Sequence, residues 1–138
     1  CAQSLERLST VAARQSVTLA LTGEHAEIIG VEQLLKEMIY NLLDNAIKYN
    51  VPGGSVTASV RKSAGRTILS VADTGIGIPY AHQPRVFERF YRVDKSHSKE
   101  VGGTGLGLSI VRHAAQYHGA RLELKSQPGK GTTITVTF

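Results

Sequence analysis

The chain has 138 residues, 41% of them hydrophobic and 20% charged, which is enough apolar material to close one core and fits a single ordinary domain. Its 16 Lys and Arg against 11 Asp and Glu leave a net charge of +5, yet the basic residues are scattered without a dense run or aromatic interleaving, which argues against nucleic-acid binding. No apolar run is long enough to cross a bilayer, no signal-peptide succession opens the chain, and the single cysteine, Cys1, can form neither an internal disulfide nor a metal cluster, so a soluble piece in the reducing cytoplasm is expected.

Leu5, Leu8, Val11 and Ala12 at helical spacing predict a helix over Ala2 to Gln15. Val17 to Leu21 alternates like a strand, and Ala26 to Ile29 reads as a further short strand before Gly30. Val31 to Tyr49 is a long helical pattern with Leu35, Met38, Leu42, Leu43 and Ala46 as its buried stripe, and it stops at Val51-Pro52-Gly53-Gly54. Ser55 to Lys62 and Arg66 to Ala72 form a hairpin through Ser63-Ala64-Gly65, and its second strand delivers Asp73 at its end. From Tyr80 to Thr104 periodicity is lost over a stretch longer than most connections in a compact domain, and a mobile lid is expected there. Helical spacing returns through Leu106, Ile110, Val111 and Ala114, giving a helix over Gly105 to His118 with Gly119 as its stop. Arg121 to Ser126 and Thr132 to Phe138 then pair through residues 127–131. The sum is one domain over 1–138, an α/β two-layer sandwich with a mixed sheet of about five strands and three main helices on one face.

At about 100° per helical residue, Glu37, Asn41, Asn45 and Lys48 gather in one sector of the long helix, opposite its buried stripe. Asparagine is a poor residue in mid-helix, so two of them a turn apart on the polar side need a reason beyond a solvated face. Amides plus a cation suit a metal-bound polyphosphate. Magnesium takes oxygen ligands in an octahedron shared with phosphates and water, for which the Asn45 amide oxygen is chemically suitable. Lys48 can set its ammonium near phosphate, and Tyr49 can offer a hydroxyl or a ring edge. Glu37 can orient a neighbour or a substrate histidine, or simply pair with a lysine. Asp73 precedes Gly75 and Gly77, whose missing side chains let the backbone turn sharply and a flat base approach. Its carboxylate can accept from the exocyclic amine of adenine and would face an acceptor on guanine; the plain alternative is an Asx turn. Gly103, Thr104, Gly105, Leu106 and Gly107 open a helix, where unpaired amides at the positive end seat phosphate oxygens. A dinucleotide fold would need a strand directly before this cluster and an acidic residue about twenty positions after it, and both are lacking. His25, His82, His97, His113 and His118 show no metal-ligand spacing and read as structural or surface residues.

Taken together, these segments resemble the sensor histidine kinases: Glu37 to Tyr49 looks like the N box, Asp73 to Gly77 the G1 box, Phe87 to Arg92 the F box and Gly103 to Gly107 the G2 box. The resemblance covers nearly the whole chain and implies the Bergerat ATP-binding fold of the GHKL superfamily, with ATP and Mg2+ bound. It implies Asn45 as metal ligand with Asn41 alongside, Phe87 and Phe90 anchoring a lid over 80–104, and Arg92 approaching the terminal phosphate. Catalytic roles are expected at Asn41, Arg92 and Glu37. Gly129-Lys130-Gly131-Thr132 is similar to the family's last glycine box, with a hairpin-turn role favoured. In such kinases the γ-phosphoryl group passes to a histidine on a separate dimeric helical hairpin and then to a response-regulator aspartate. The His-Glu/Asp-x-x-Thr/Asn-Pro type motif of that hairpin is missing, and His25 does not qualify. The expectation is a monomeric catalytic domain, nearly inactive alone, cut from a homodimeric kinase that is an integral membrane sensor. Related ATPases of this fold carry a water-activating glutamate where this chain has Asn41, which favours phosphoryl transfer over hydrolysis. Finer resemblance, in Tyr40 to Tyr49 and Phe87 to Thr104, is to the phosphate-regulon sensors. Serine kinases of the anti-sigma-factor type share the fold, but the F box argues against them; a non-catalytic ATP-binding module is the weaker alternative, given Asn45, Asp73 and both glycine boxes.

Overall fold

The computed structural model describes residues 1–88 and 107–138. In chain order the elements are α1 (Ala2–Arg14), β1 (Thr18–Gly23), α2 (Glu32–Lys48), β2 (Ser55–Ser63), β3 (Arg66–Asp73), a 3-10 turn (Gln83–Arg85), α3 (Gly107–Tyr117), β4 (Arg121–Gln127) and β5 (Gly131–Thr137). The expectations for Arg92, Gly103, Thr104, Gly105, Leu106 and the lid beyond Glu88 lie outside the described residues.

The strands form one sheet in the order β1-β2-β3-β5-β4, with β1 and β2 parallel and the other neighbours antiparallel. Strict alternation gives the sheet two unlike faces. Val56 and Ala58 of β2, Leu69 and Val71 of β3, and Ile134 and Val136 of β5 are buried in one core with Leu8 and Ala12 of α1, Met38, Leu42, Leu43, Ala46 and Ile47 of α2, and Leu108, Val111, Ala114 and Ala115 of α3. The alternate residues Thr57, Ser59, Ser70, Thr133 and Thr135 occupy the other face, where the Ser70 and Thr135 hydroxyl oxygens are 3.0 Å apart. Among the described residues this is the predicted two-layer α/β sandwich, a mixed sheet of five strands with three main helices. No helix among the described residues is long and apolar enough to cross a membrane.

Local chemistry explains the joints. The β2–β3 hairpin closes at the Ser63↔Arg66 pair, with Ala64 at φ 51° and Gly65 at φ 75°, the two positive dihedrals of a tight turn that follows the strand twist. After α2 the chain turns back through Gly53, whose N–H donates to the Ser16 carbonyl at 2.8 Å and ties the end of α2 to the start of β1. Past β3, Val86 is buried and Phe87 packs against the core, so the first part of the expected lid is fastened to the body.

Two expectations are corrected. Residues 26–29 form no strand: Glu24 still donates to the Val60 carbonyl at 2.8 Å, but the β1–β2 ladder ends at Gly23↔Val60 and, among the described residues, the segment beyond has no strand to pair with. Ile29 is accordingly fully exposed. The stripe of α2 is shifted: Ile47 is completely buried, whereas Leu35 near the helix start is only partly covered. The helical spacing expected before Gly119 holds over Gly107–Tyr117, with Val111 and Ala114 buried, Ile110 half-buried and Ser109 facing the interior.

Candidate nucleotide-binding site

The site is built where α2, the end of β3 and the start of α3 converge. On α2, the Asn41 side-chain N–H donates to the Glu37 carbonyl one turn back at 2.8 Å, which leaves Oδ1 as the outward end of the amide. That oxygen lies 3.3 Å from where a Cβ on Gly107 would stand, so Asn41 meets the first residue of α3. Asn45, half-buried one turn further on, makes no hydrogen bond from its side chain to another described residue. Glu37 accepts from the Gln33 amide at 3.2 Å, and among the described residues no lysine pairs with it.

Lys48, expected to set its ammonium near phosphate, is held by Asp44 at 2.9 Å, with side chains 26% and 18% exposed. Asp44 had not been singled out from the sequence, although an acid four residues before a lysine on one helix face is the signal for such a pair. The pair sets the position of the ammonium on the polar face and leaves it able to exchange one anionic partner for another.

Asp73 ends β3 with its carboxylate partly buried. Its Oδ1 accepts from the Gly75 N–H at 2.9 Å and the Thr132 N–H at 3.2 Å. Burial pushes this carboxyl above its ordinary value, and the two backbone donors pull it part of the way back. The Asx turn and the ligand role are therefore compatible, because one oxygen holds the turn and the other remains as an acceptor.

The glycines after Asp73 serve first to let backbone approach backbone. A Cβ on Gly75 would run into the Tyr49 carbonyl at the end of α2, and one on Gly77, at φ 71°, would run into the Gln127 carbonyl of the β4–β5 hairpin. Ile76 closes the same joint, donating to the Tyr49 carbonyl at 3.1 Å and accepting from Gly129 at 2.7 Å. Gly131 passes so close to the Asp73 carbonyl that a side chain is excluded, in keeping with a hairpin role for residues 129–132.

Next to Asp73 lies an open, polar cleft of about 570 Å³ with Tyr80, Gln83, Ser126, Lys130 and Thr132 in its walls. The sequence reading missed its framework: Gln83 donates to the Ile78 and Ser126 carbonyls at 3.0 and 3.1 Å, Ser126 Oγ accepts from the Ile78 N–H at 2.8 Å, and the Ser126 and Thr132 hydroxyl oxygens are 2.8 Å apart. The Ser126↔Thr132 register creates that last contact, and no local pattern announces it. Asn41 and Asn45 are not in the walls of this cleft; α2 connects the two regions through Tyr49.

A family profile described as histidine kinase-, DNA gyrase B- and HSP90-like ATPase matches residues 30–138, which contain every described residue of this site. The chain belongs to that ATPase family. Within the family its relatives are kinases. It is 50% identical over 125 residues to the sensor histidine kinase YkoH of Bacillus subtilis, covering 91% of this chain and 27% of that protein. It is 46% identical over 112 residues to the phosphate regulon sensor protein PhoR of Pseudomonas aeruginosa, covering 81% of this chain and 25% of that one. Among solved structures, the mycobacterial sensor histidine kinase MprB superposes with a TM-score of 0.81 at 32% identity, over 99% of this chain and 92% of that one. This member of the ATPase family is thus a catalytic domain of the sensor histidine kinase type, and it spans about a quarter of the length of the curated relatives named.

The donor set fits Mg2+. Among the described residues no group of three His, Cys, Asp or Glu could hold a metal alone. The Asn41 oxygen is left over after its amide N–H is bonded, and the Asn45 amide has no bond to a described residue. One or two neutral oxygen donors fit an ion that takes most of its ligands from phosphate and water.

Proposed function

We propose that this chain binds ATP with Mg2+ and transfers the γ-phosphoryl group to a histidine on a separate dimerisation domain of the same kinase, from which it passes to a response-regulator aspartate. The observation that carries the reading is Asp73: a partly buried carboxylate at a strand end, one oxygen fixed by two backbone N–H groups and the other available to the exocyclic amine of adenine. Asn45, with Asn41 alongside, would hold the metal, which neutralises charge on the phosphates when bound. Lys48 would exchange Asp44 for phosphate. The loop ahead of Gly107 and the lid with Arg92 would complete the triphosphate site.

The chemistry asked of the chain is positioning and charge stabilisation. Asn41 supports transfer over hydrolysis, since an amide cannot take a proton from water. The full protein on this reading is a homodimeric membrane sensor with this domain, a monomer when isolated, on its cytoplasmic side. To test it, the chain is incubated with γ-labelled ATP, Mg2+ and the histidine-bearing domain of its parent kinase. The reading predicts an acid-labile, alkali-stable phosphoprotein on that domain and none with Asn45→Ala; release of free phosphate without any labelled histidine would overturn it.

A further inference from the structure

The start of α2 and the end of α3 are joined by one side chain. Val31, the residue that opens α2, has no polar side chain to cap the helix. Its N–H donates to His118 Nε2 at 2.9 Å, across 87 residues of sequence. His118 Nδ1 lies 2.7 Å from the Ala114 carbonyl, the last turn of α3. An N–H can only donate and a carbonyl can only accept, so one state of the ring satisfies both contacts: the neutral imidazole with its proton on Nδ1. Gly30 makes room for it, because a Cβ there would stand 2.5 Å from ring atoms Cδ2 and Nε2. The Phe138 ring closes edge-on at 6.3 Å.

We propose that His118 is a positioning residue for the nucleotide site, a neutral bolt that fixes how far α2 advances along α3. The two helices pack extensively, and the start of one lies by the end of the other. At about 1.5 Å per residue, Val31 is roughly 15 Å along α2 from Asn41, and His118 about as far along α3 from Gly107. Asn41 and Gly107 meet at the other end of this contact, Oδ1 lying 3.3 Å from where a Cβ on Gly107 would stand. Two stiff rods pinned at the Val31–His118 end hold Asn41 against the start of α3 in one register, with Asn45 one turn further along α2; without the pin that register becomes one of several, and the fraction of chains ready for nucleotide falls.

This inference rests on the ATP-binding reading, and its test separates the two. Wild type, His118→Phe and His118→Gln are compared by Mg-ATP titration and by the NMR side-chain amide resonances of Asn41 and Asn45 without nucleotide. Phenylalanine keeps the ring volume and loses the acceptor, whereas glutamine restores an acceptor oxygen near the place of Nε2. The expected result is roughly tenfold weaker ATP binding and displaced asparagine resonances for His118→Phe, with His118→Gln near wild type in both. If His118→Phe fails to fold, Gly30→Ala displaces the ring and takes its place. Wild-type affinity and unmoved resonances in the disrupting variant would overturn the proposal, and so would a His118→Gln variant as defective as His118→Phe. Should wild type itself bind no ATP, the functional reading fails and the asparagine resonances alone decide the bolt.

Discussion

Asp73 carries two duties in one carboxylate, and they oppose each other. Its Oδ1 closes the turn to Gly75 and grips Thr132, while partial burial raises the carboxyl above its ordinary value. A group whose folded value is raised binds its proton more tightly in the folded chain than in the unfolded one. Its contribution is therefore fully present below the unfolded carboxylate value and is lost as pH rises through the raised folded value. At neutral pH the nucleotide-free fold holds a charge it would be more stable without. Asp73→Asn keeps an oxygen for the two backbone donors and removes that charge. The variant is expected to melt at a higher temperature than wild type at neutral pH, with the gain vanishing in acid below the ordinary carboxylate range. Thermal melts across pH check this; a variant less stable than wild type at neutral pH contradicts it. On the proposed function this is stability given up for a binding group, a common arrangement at functional sites.

Between elements, two residues with positive φ make opposite predictions. Gly77, at φ 71°, lets the turn after β3 rest on the β4–β5 hairpin where a Cβ would strike the Gln127 carbonyl. Gly77→Ala should cost about 2–4 kcal/mol in urea denaturation, from strain plus overpacking. Ala64 sits at φ 51° in the β2–β3 turn with its Cβ in an unfavourable conformation. Ala64→Asn, followed by Gly65, should add about 1 kcal/mol by the same measurement. The same elements show what the sequence could reveal. Hairpins and helix stripes were legible because their signals are local: alternation, β-branching, three- and four-residue spacing, glycine stops. Residues 26–29 have the composition of a strand, but a strand also requires a partner, and partner choice is settled far away in the chain. The polar face of α2 was legible for the same local reason. His118 was not, since a lone histidine carries no mark of a bond to Val31, 87 residues distant, and the Ser126–Thr132–Gln83 framework appears only once the register of β4 and β5 is known.

At the scale of the whole molecule, one core supports every wall of the site. Leu43 is completely buried between the helices and the sheet, and Leu43→Ala should lower the unfolding free energy by about 2–5 kcal/mol without contact with nucleotide. Equilibrium urea unfolding measures that loss, and a change under about 1 kcal/mol would mean that the helix layer is not packed as described. The helices hold Asn41, Asn45 and Lys48 on one side, the sheet carries Asp73 at the end of its central strand β3, and the DTG turn joins them through Tyr49 and Ile76. On the proposed function, this junction is an adenine-selective nucleotide site read by Asp73. Calorimetric titration of wild type and Asp73→Asn with ATP and with GTP, in the presence of Mg2+, tests it most directly. Wild type is expected to bind ATP and not GTP, and Asp73→Asn to lose ATP binding; equal affinity of wild type for both nucleotides, or full ATP affinity in Asp73→Asn, would rule out Asp73 as the adenine reader.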